Sequence, residues 1–244
     1  MIRAIEEHSL NAWPALQTCL QDGWVLRFAE GYTRRANSVN PLYPSEGDLA
    51  ANIAACEAIY RTRGLPVIFK LTPASLPAGL DDVLARAGYR LEAPTSVQLV
   101  DLPADSGVPP ETVHLAPALE DDWLDAFGRM ASAAPARQSI HARLLRSILP
   151  TCAYASTRRD GQIVALGLGV LSDGILGLYD ILTHPAYRRQ GHAARIVAGL
   201  LAWAHQNGAR QAYLQVMLDN QPALALYHQA GFRELYRYHY RVKA

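Results

Sequence analysis

The feature that most constrains the fold is the stretch from Leu178 to Ala194, LYDILTHPAYRRQGHAA. An apolar run with strand character ends at His184-Pro185, and a turn carrying Arg188, Arg189 and Gly191 leads directly into an amphipathic helix. Ile196, Val197, Leu200, Leu201 and Ala204 recur at three- and four-residue spacing and make one apolar stripe. Arg195, His205 and Gln206 are left to face water, and Asn207-Gly208 is the stop. The first backbone N–H groups of a helix have no partner within it, and the aligned peptide dipoles put about half a positive charge at that end. Arg-x-x-Gly-x-Ala, from Arg188 to Ala193, adds guanidinium charge, and its glycine lets a phosphate approach the backbone closely. A capped surface turn has much the same composition, so the flanking order has to decide between them.

After the helix comes a strand-like run, Gln211 to Val216, then the polar breaker Asp219-Asn220-Gln221-Pro222 with Pro at a helix's first turn. A short helix from Ala223 to Ala230 is stopped by Gly231, and an aromatic strand runs from Phe232 to Val242. On these residues the chain resembles the GNAT acetyltransferase superfamily. Its acetyl-CoA signature, Gln/Arg-x-x-Gly-x-Gly/Ala, is matched by Arg188-Arg189-Gln190-Gly191-His192-Ala193, with Ala193 where Gly is more frequent. Its second landmark, an Asn followed by a Tyr in a short helix ending Gly-Phe, is matched by Asn220, Tyr227, Gly231 and Phe232. The resemblance spans about residues 112 to 244 and implies an α/β (α+β) fold with a mixed, mostly antiparallel sheet flanked by helices.

Upstream, Leu102 to Pro110 reads as a linker between a region at 1–103 and the GNAT-like region at 111–244. The C-terminal region predicts helices at Glu120–Ala131 and Ser139–Ile148 and strands near Cys152–Ser156 and Gln162–Val170, with Asp160-Gly161 and Asp173-Gly174 as hairpin turns. In the first region a helix ending at Gly64, a strand Val67–Leu71, a helix Leu80–Ala87 stopped by Gly88-Tyr89, and a strand over Ser96–Asp101 repeat the later order. The resulting expectation is two tandem GNAT-like units, the first degenerate. Asn40 to Gly47, where its phosphate turn would fall, lacks the motif, and Glu46 and Asp48 would repel phosphate. Tyr32 to Val39 sets Arg34, Arg35 and Asn37 in a strand-like context. They can hold a substrate carboxylate or simply form a solvated strand face.

What the resemblance implies for chemistry is acyl transfer from a thioester to an amine. Backbone N–H groups from Arg189 through Gln190, Gly191, His192 and Ala193 to Ala194 would hold the diphosphate of acetyl-CoA as co-substrate, with charge from Arg188 or Arg189. Asn220 would bond the pantetheine arm or nearby backbone, and Ile181, Leu182 and Thr183 would supply oxyanion donors. Tyr227 would protonate the leaving thiolate, against the alternative of a core aromatic. Asp180 is the candidate base and His184 its rival. Successive strand side chains alternate, so Tyr179 and Asp180 share a face only if the strand bulges.

Composition fits this reading. The 244 residues are half apolar and carry a net charge of +1, which gives no global field toward nucleic acid or an anionic membrane. No apolar run spans a bilayer and no basic-then-apolar leader opens the chain, so the expected location is cytoplasmic. Cys19, Cys56 and Cys152 lack metal-ligand spacing and read as packing residues, and no metal is expected. The expected partner is a small-molecule or peptide amine, and a homodimer is compatible with this reading. The competing class is a non-catalytic acyl-CoA-binding regulatory module.

Overall fold

The computed structural model describes residues 1–102 and 108–243. Of the expected linker, Pro103 to Gly107 lies outside the described residues. The chain forms two compact units.

The first unit comprises Met1–Ser96 together with the chain from Tyr236 on. It opens with α1 (Ile2–Ala12), β1 (Gln17–Gln21), β2 (Trp24–Phe28) and β3 (Val39–Asn40). Next come α2 (Leu49–Arg61), β4 (Val67–Leu71), α3 (Leu80–Arg86) and the start of β5 (Arg90–Asp101). Asp22-Gly23 closes the β1–β2 hairpin with both residues at positive φ, +42° and +78°, the geometry whose twist matches paired strands. β2 pairs antiparallel with β3, and β3 lies parallel to β4. Trp24, Leu26, Phe69, Cys56 and Tyr60 bury against one another to make this unit's core.

The second unit is Val97–Leu235. It contains β6 (His114–Ala116), α4 (Asp121–Ala131), α5 (Pro135–Arg146), β7 (Thr151–Arg159), β8 (Gln162–Ser172) and β9 (Ile175–Thr183). These are followed by α6 (His192–Gln206), β10 (Gln211–Met217), α7 (Gln221–Gln229) and the beginning of β11 (Arg233–Lys243). The strands run in the order β10-β9-β8-β7-β6, antiparallel except for β9 with β10. Both expected Asp-Gly hairpin turns are present, with positive φ at Asp160-Gly161 and Asp173-Gly174. The stripe Ile196, Val197, Leu200 and Ala204 of α6 is buried against the sheet. Full burial of an aliphatic side chain stabilises by ~1.5–3 kcal/mol. α5 begins four residues earlier than the sequence suggests, because Pro135 sits at its first turn, where a missing N–H costs nothing.

The units are cut differently from the expected 1–103 and 111–244. Val97 to Leu102 goes with the second unit and Tyr236 onward with the first. The reason lies in β11, which pairs antiparallel with β4 from His239↔Leu71 to Lys243↔Val67. Both faces of that segment have partners in the first unit. Tyr236 Oη donates to Glu6 at 2.5 Å, and Lys70 pairs with Glu6 at 2.5 Å while lying 4.3 Å from the Tyr238 ring. On the opposite face Arg241 donates to Asp81 at 2.6 Å and Lys243 to Glu57 at 3.0 Å.

The expected repeat is visible in the elements. β3-α2-β4-α3-β5 and β9-α6-β10-α7-β11 have the same order, each with its first two strands parallel. The helix ends also match. Tyr89 N bonds Leu84 O at 3.0 Å after α3, and Phe232 N bonds Tyr227 O at 3.0 Å after α7.

Candidate active site

The second strand pair of the repeat opens where a ligand could enter. On its β8 side, β9 is paired to its end, through Leu166↔Leu182 and Ala165↔Thr183. On its β10 side the parallel register runs from Gln211↔Ile175 to Leu214↔Leu178 and stops, although β9 continues to Thr183 and β10 to Met217. The β10-facing edge of Ile181 to Thr183 lies beyond that register. Ile181, Leu182 and Thr183 lie on that stretch. Thr183 Oγ1 is buried and has no hydrogen-bond partner among the described residues.

β9 also bulges. Leu166 faces Leu182 and Leu168 faces Tyr179, so Gly167 stands opposite both Asp180 and Ile181. Asp180 takes φ +51° to absorb the extra residue. Gly167 has to be glycine, since a Cβ there would come within 2.6 Å of Ile181 and Ile196 side-chain carbons. The bulge lets Tyr179 and Asp180 share a sheet face. Tyr179 meets Tyr213 hydroxyl to hydroxyl at 2.5 Å, and Asp180 Oδ2 lies 2.8 Å from His141 Nε2 on α5. His141 is fully buried and packs on Phe127, ring centroids 3.9 Å apart, while the Asp180 side chain keeps 12% of its surface accessible. Sequence reasoning missed His141. Its only trace is its place on the buried side of α5 with Leu144 and Leu145, where a lone histidine reads as core.

The turn between β9 and α6 is exposed at Arg188, Arg189, Gln190 and Gly191. Gly191 is the N-cap at φ +79°, and no side chain caps the helix, so the N–H groups of His192, Ala193 and Ala194 point out of the helix start uncompensated. A Cβ at Gly191 would meet nothing nearer than Arg195 at 3.7 Å, so the positive φ and not crowding selects glycine. The His192 ring is buried beneath the turn. Its Nδ1 lies 3.2 Å from Thr157 Oγ1, and its Nε2 has no partner among the described residues. Burial, then Arg195 and Arg159, push this imidazole below its ordinary range, so it stays neutral. His184 is exposed, and its Nδ1 accepts from Ala186 N at 3.3 Å, which makes it a cap for the short 3₁₀ turn at Pro185–Tyr187.

Asn220 is the N-cap of α7 and accepts from Ala223 N at 3.3 Å, so its carbonyl oxygen serves the local backbone and its amide faces solvent. Tyr227 is buried on α7 against Phe232, and burial pushes its phenol up to about 12. Its hydroxyl has no hydrogen-bond partner among the described residues. Between α6 and α7 lies a groove of about 390 Å³ lined by Leu102, Ala194, Val197, Leu201, Leu226 and Ala230 among others. Ala194 belongs both to this groove and to the uncapped first turn of α6.

The whole chain is similar to known proteins. Residues 1–241 fit the family described as "Probable histone acetyltransferase Rv0428c C-terminal". "Uncharacterized N-acetyltransferase YobR" of Bacillus subtilis is 31% identical over 99% of this chain and 98% of its own. This chain is a GNAT acyltransferase. Rv0428c of Mycobacterium tuberculosis, described as a probable histone acetyltransferase, is 27% identical, covering 95% of this chain and 70% of that one. Among solved structures, a GCN5-related N-acetyltransferase from Kribbella flavida superposes with TM-score 0.73 at 18% identity, covering 99% and 95% of the two chains. A tandem GNAT protein from the clavulanic acid biosynthesis pathway gives TM-score 0.65 at 14% identity, over 98% and 87%. These two likenesses show the fold.

Elsewhere in the acyltransferase, the first-unit residues singled out for substrate have other work. The segment is not a strand. Arg34–Ala36 forms a 3₁₀ turn and only Val39–Asn40 pairs. Asn37 is buried with all four of its hydrogen-bonding positions used. Its Oδ1 accepts from Ala29 N and Gly31 N at 2.8 and 3.0 Å, and its Nδ2 donates to Tyr32 O and Thr33 O, both at 2.8 Å. Arg34 pairs with Glu92 at 2.5 Å, and Arg35 stacks over Trp13 at 5.2 Å. The Asn37 amide is thus committed to local backbone. Among the described residues no cluster of three His, Cys, Asp or Glu could hold a metal, and no helix is long and apolar enough to cross a membrane.

Proposed function

We propose that this acyltransferase takes an acetyl group from acetyl-CoA and transfers it to an amine of a small molecule, amino acid or peptide by direct attack on the thioester. The observation that carries the reading is the junction at Thr183–Ala194, where a strand edge beyond the β10 register meets a helix start with no side-chain cap. GNAT acetyltransferases in general use acetyl-CoA, and three features of the site fit it. The N–H groups from Arg189 to Ala194 with Arg188 and Arg189 suit a diphosphate. The buried, partnerless Thr183 Oγ1 and His192 Nε2 flank the turn, and the α6–α7 groove continues from Ala194 as room for more of the same ligand.

The chemistry then follows in order. An ammonium has no lone pair, so the acceptor first gives a proton to the Asp180 carboxylate. The free amine attacks the thioester carbon, the carbonyl oxygen becomes an oxyanion, and an N–H on the open edge of β9 stabilises it. The intermediate collapses with loss of the thiolate. Tyr227, neutral at every working pH because burial raises it to about 12, donates its proton to sulfur. The second nitrogen proton replaces it, so the products are amide, thiol and one proton passed to solvent.

A thiol-release assay with acetyl-CoA across a panel of primary amines tests the reading. Release that depends on the amine is the expected result. Thermal protection by acetyl-CoA with no release for any amine would instead establish a non-catalytic binder. The N-terminal unit, the homodimer and the cytoplasmic location enter this proposal only as compatible settings for the second unit's chemistry.

A further inference from the structure

The carboxylate assigned to proton transfer is held from outside its own strand. It sits at the one distorted residue of β9, and its recorded contact is His141, which comes from a helix more than thirty positions earlier in the chain. The burial of the two groups is the reverse of a dyad in which the histidine meets substrate. His141 has no accessible surface and rests on Phe127, whereas Asp180 is the partly open member. Asp180 Oδ1 makes no hydrogen bond to any described residue, and Oδ2 is the atom taken by the imidazole. At 2.8 Å two lone pairs would repel, so a proton lies between them, and with an ionised carboxylate it belongs to Nε2. Tyr154 and Cys152 of β7 and Tyr213 of β10 stand on the same sheet face, and burial first, then Cys152 and the charge of Asp180, raise the Tyr154 phenol.

Resting on the acetyl-transfer reading above, we infer that His141 is the positioning residue for Asp180. It donates its Nε2–H to Oδ2, holds the carboxylate at the bulge against rotation, and leaves Oδ1 as the oxygen that takes the proton from the incoming ammonium. In the step itself the N–H bond of the ammonium breaks, an O–H bond forms at Oδ1, and the imidazole keeps its own proton throughout. His141 is the hydrogen-bond partner of this positive-φ carboxylate among the described residues, so its removal should matter for proton transfer more than for binding.

Two nucleophiles separate this role from a packing role. Butylamine is an ammonium at neutral pH and needs the base; hydroxylamine is largely unprotonated there and does not. With acetyl-CoA saturating, His141→Leu should lower kcat for butylamine by about 10- to 100-fold and kcat for hydroxylamine by less than about threefold. His141→Gln, whose amide can donate from the position of Nε2–H, should restore most of the butylamine rate. Equal losses with both nucleophiles, or no rescue by His141→Gln, would overturn the inference. A second measurement needs no turnover. In ¹⁵N-histidine-labelled protein, the Nε2–H resonance of His141 should lie at low field and disappear in Asp180→Ala; persistence in that variant rules the contact out. Wild-type protein that acetylates neither nucleophile counts against the proposed function, and the resonance then decides the His141–Asp180 contact alone.

Discussion

The turn before α6 and the turn before α2 occupy the same place in the repeat and have opposite electrostatic endings. Before α6 the cap is Gly191, no side chain reaches the helix N–H groups, and Arg188 and Arg189 face solvent. Before α2 the cap is Asp48, whose carboxylate accepts from Ala51 N at 2.8 Å. A second carboxylate, Asp22 of the hairpin turn, accepts from Ser45 Oγ and from the N–H groups of Glu46 and Gly47 at 2.9 and 3.0 Å. These bonds, Ser45's foremost, hold the Asp22 carboxyl below its usual range. One turn leaves its donors without a side-chain cap, where the proposed diphosphate would sit, and the other spends them on anions of its own chain. The following helices diverge in the same way. When the caps Gly191 and Asp48 and the ends Gly231-Phe232 and Gly88-Tyr89 are laid together, Asn220 falls on Pro77 and Tyr227 on the fully buried Leu84.

The sharpest way to break this contrast is to give the second turn the first turn's cap. Gly191→Asp places a carboxylate where the diphosphate should sit and a side chain at φ +79°. Acetyl-CoA affinity measured by calorimetry should fall by about 100-fold or more, ~3 kcal/mol; unchanged affinity would mean that this turn is not the clamp. Making α7 resemble α3 at the position proposed to react is the next step down. Tyr227→Phe should reduce kcat by about 10- to 100-fold while acetyl-CoA affinity stays within about twofold. A variant with full kcat would make Tyr227 a core residue, as Leu84 is.

Smaller effects test the supports of the two turns. Asn220→Ala should cost about 1 kcal/mol of stability through the lost cap of α7, read from denaturant unfolding. Protonation of His192 provides a pH test. Its folded-state pKa is depressed, so the unfolded chain binds the proton more readily, and its contribution to stability is full above the ordinary value of 6.5 and shrinks as pH falls below it. The melting temperature should decline on that side in wild type and decline less in His192→Gln. Smallest is Asp22→Ser, which should lower the melting temperature slightly. Added inorganic phosphate should recover part of the loss if the emptied N–H groups of Glu46 and Gly47 accept it in place of the carboxylate.

Much of the local structure around the candidate site was legible because its parts are close in sequence. Arg188 to Ala194 and Asn220 to Phe232 are short stretches in which capping and chain direction follow from neighbours in sequence, and strand Val67–Leu71 appears at its expected bounds. The Asp22-Gly23 turn also closes a hairpin. The reach of its carboxylate to Glu46 and Gly47 had no signal, since nothing in sequence links positions over twenty apart. Tyr32–Val39 looked like a strand because its residue types suit one. The four bonds of Asn37 close the chain on itself and outweigh that propensity.

By itself the sequence determined the family, the glycine turn into α6, the stops at Gly64, Gly88, Gly208 and Gly231, and the absence of the motif near Asn40. All of these depend on residues within a few positions of one another. Only the tertiary structure decided that β9 bulges at Asp180, that His141 backs that carboxylate, that β9 and β10 part after Leu178, and that the chain from Tyr236 on belongs with the first unit. Register, long-range pairing and the choice of partner strand come from the packing of distant segments, and each is settled by which arrangement buries apolar faces and satisfies buried polar groups together.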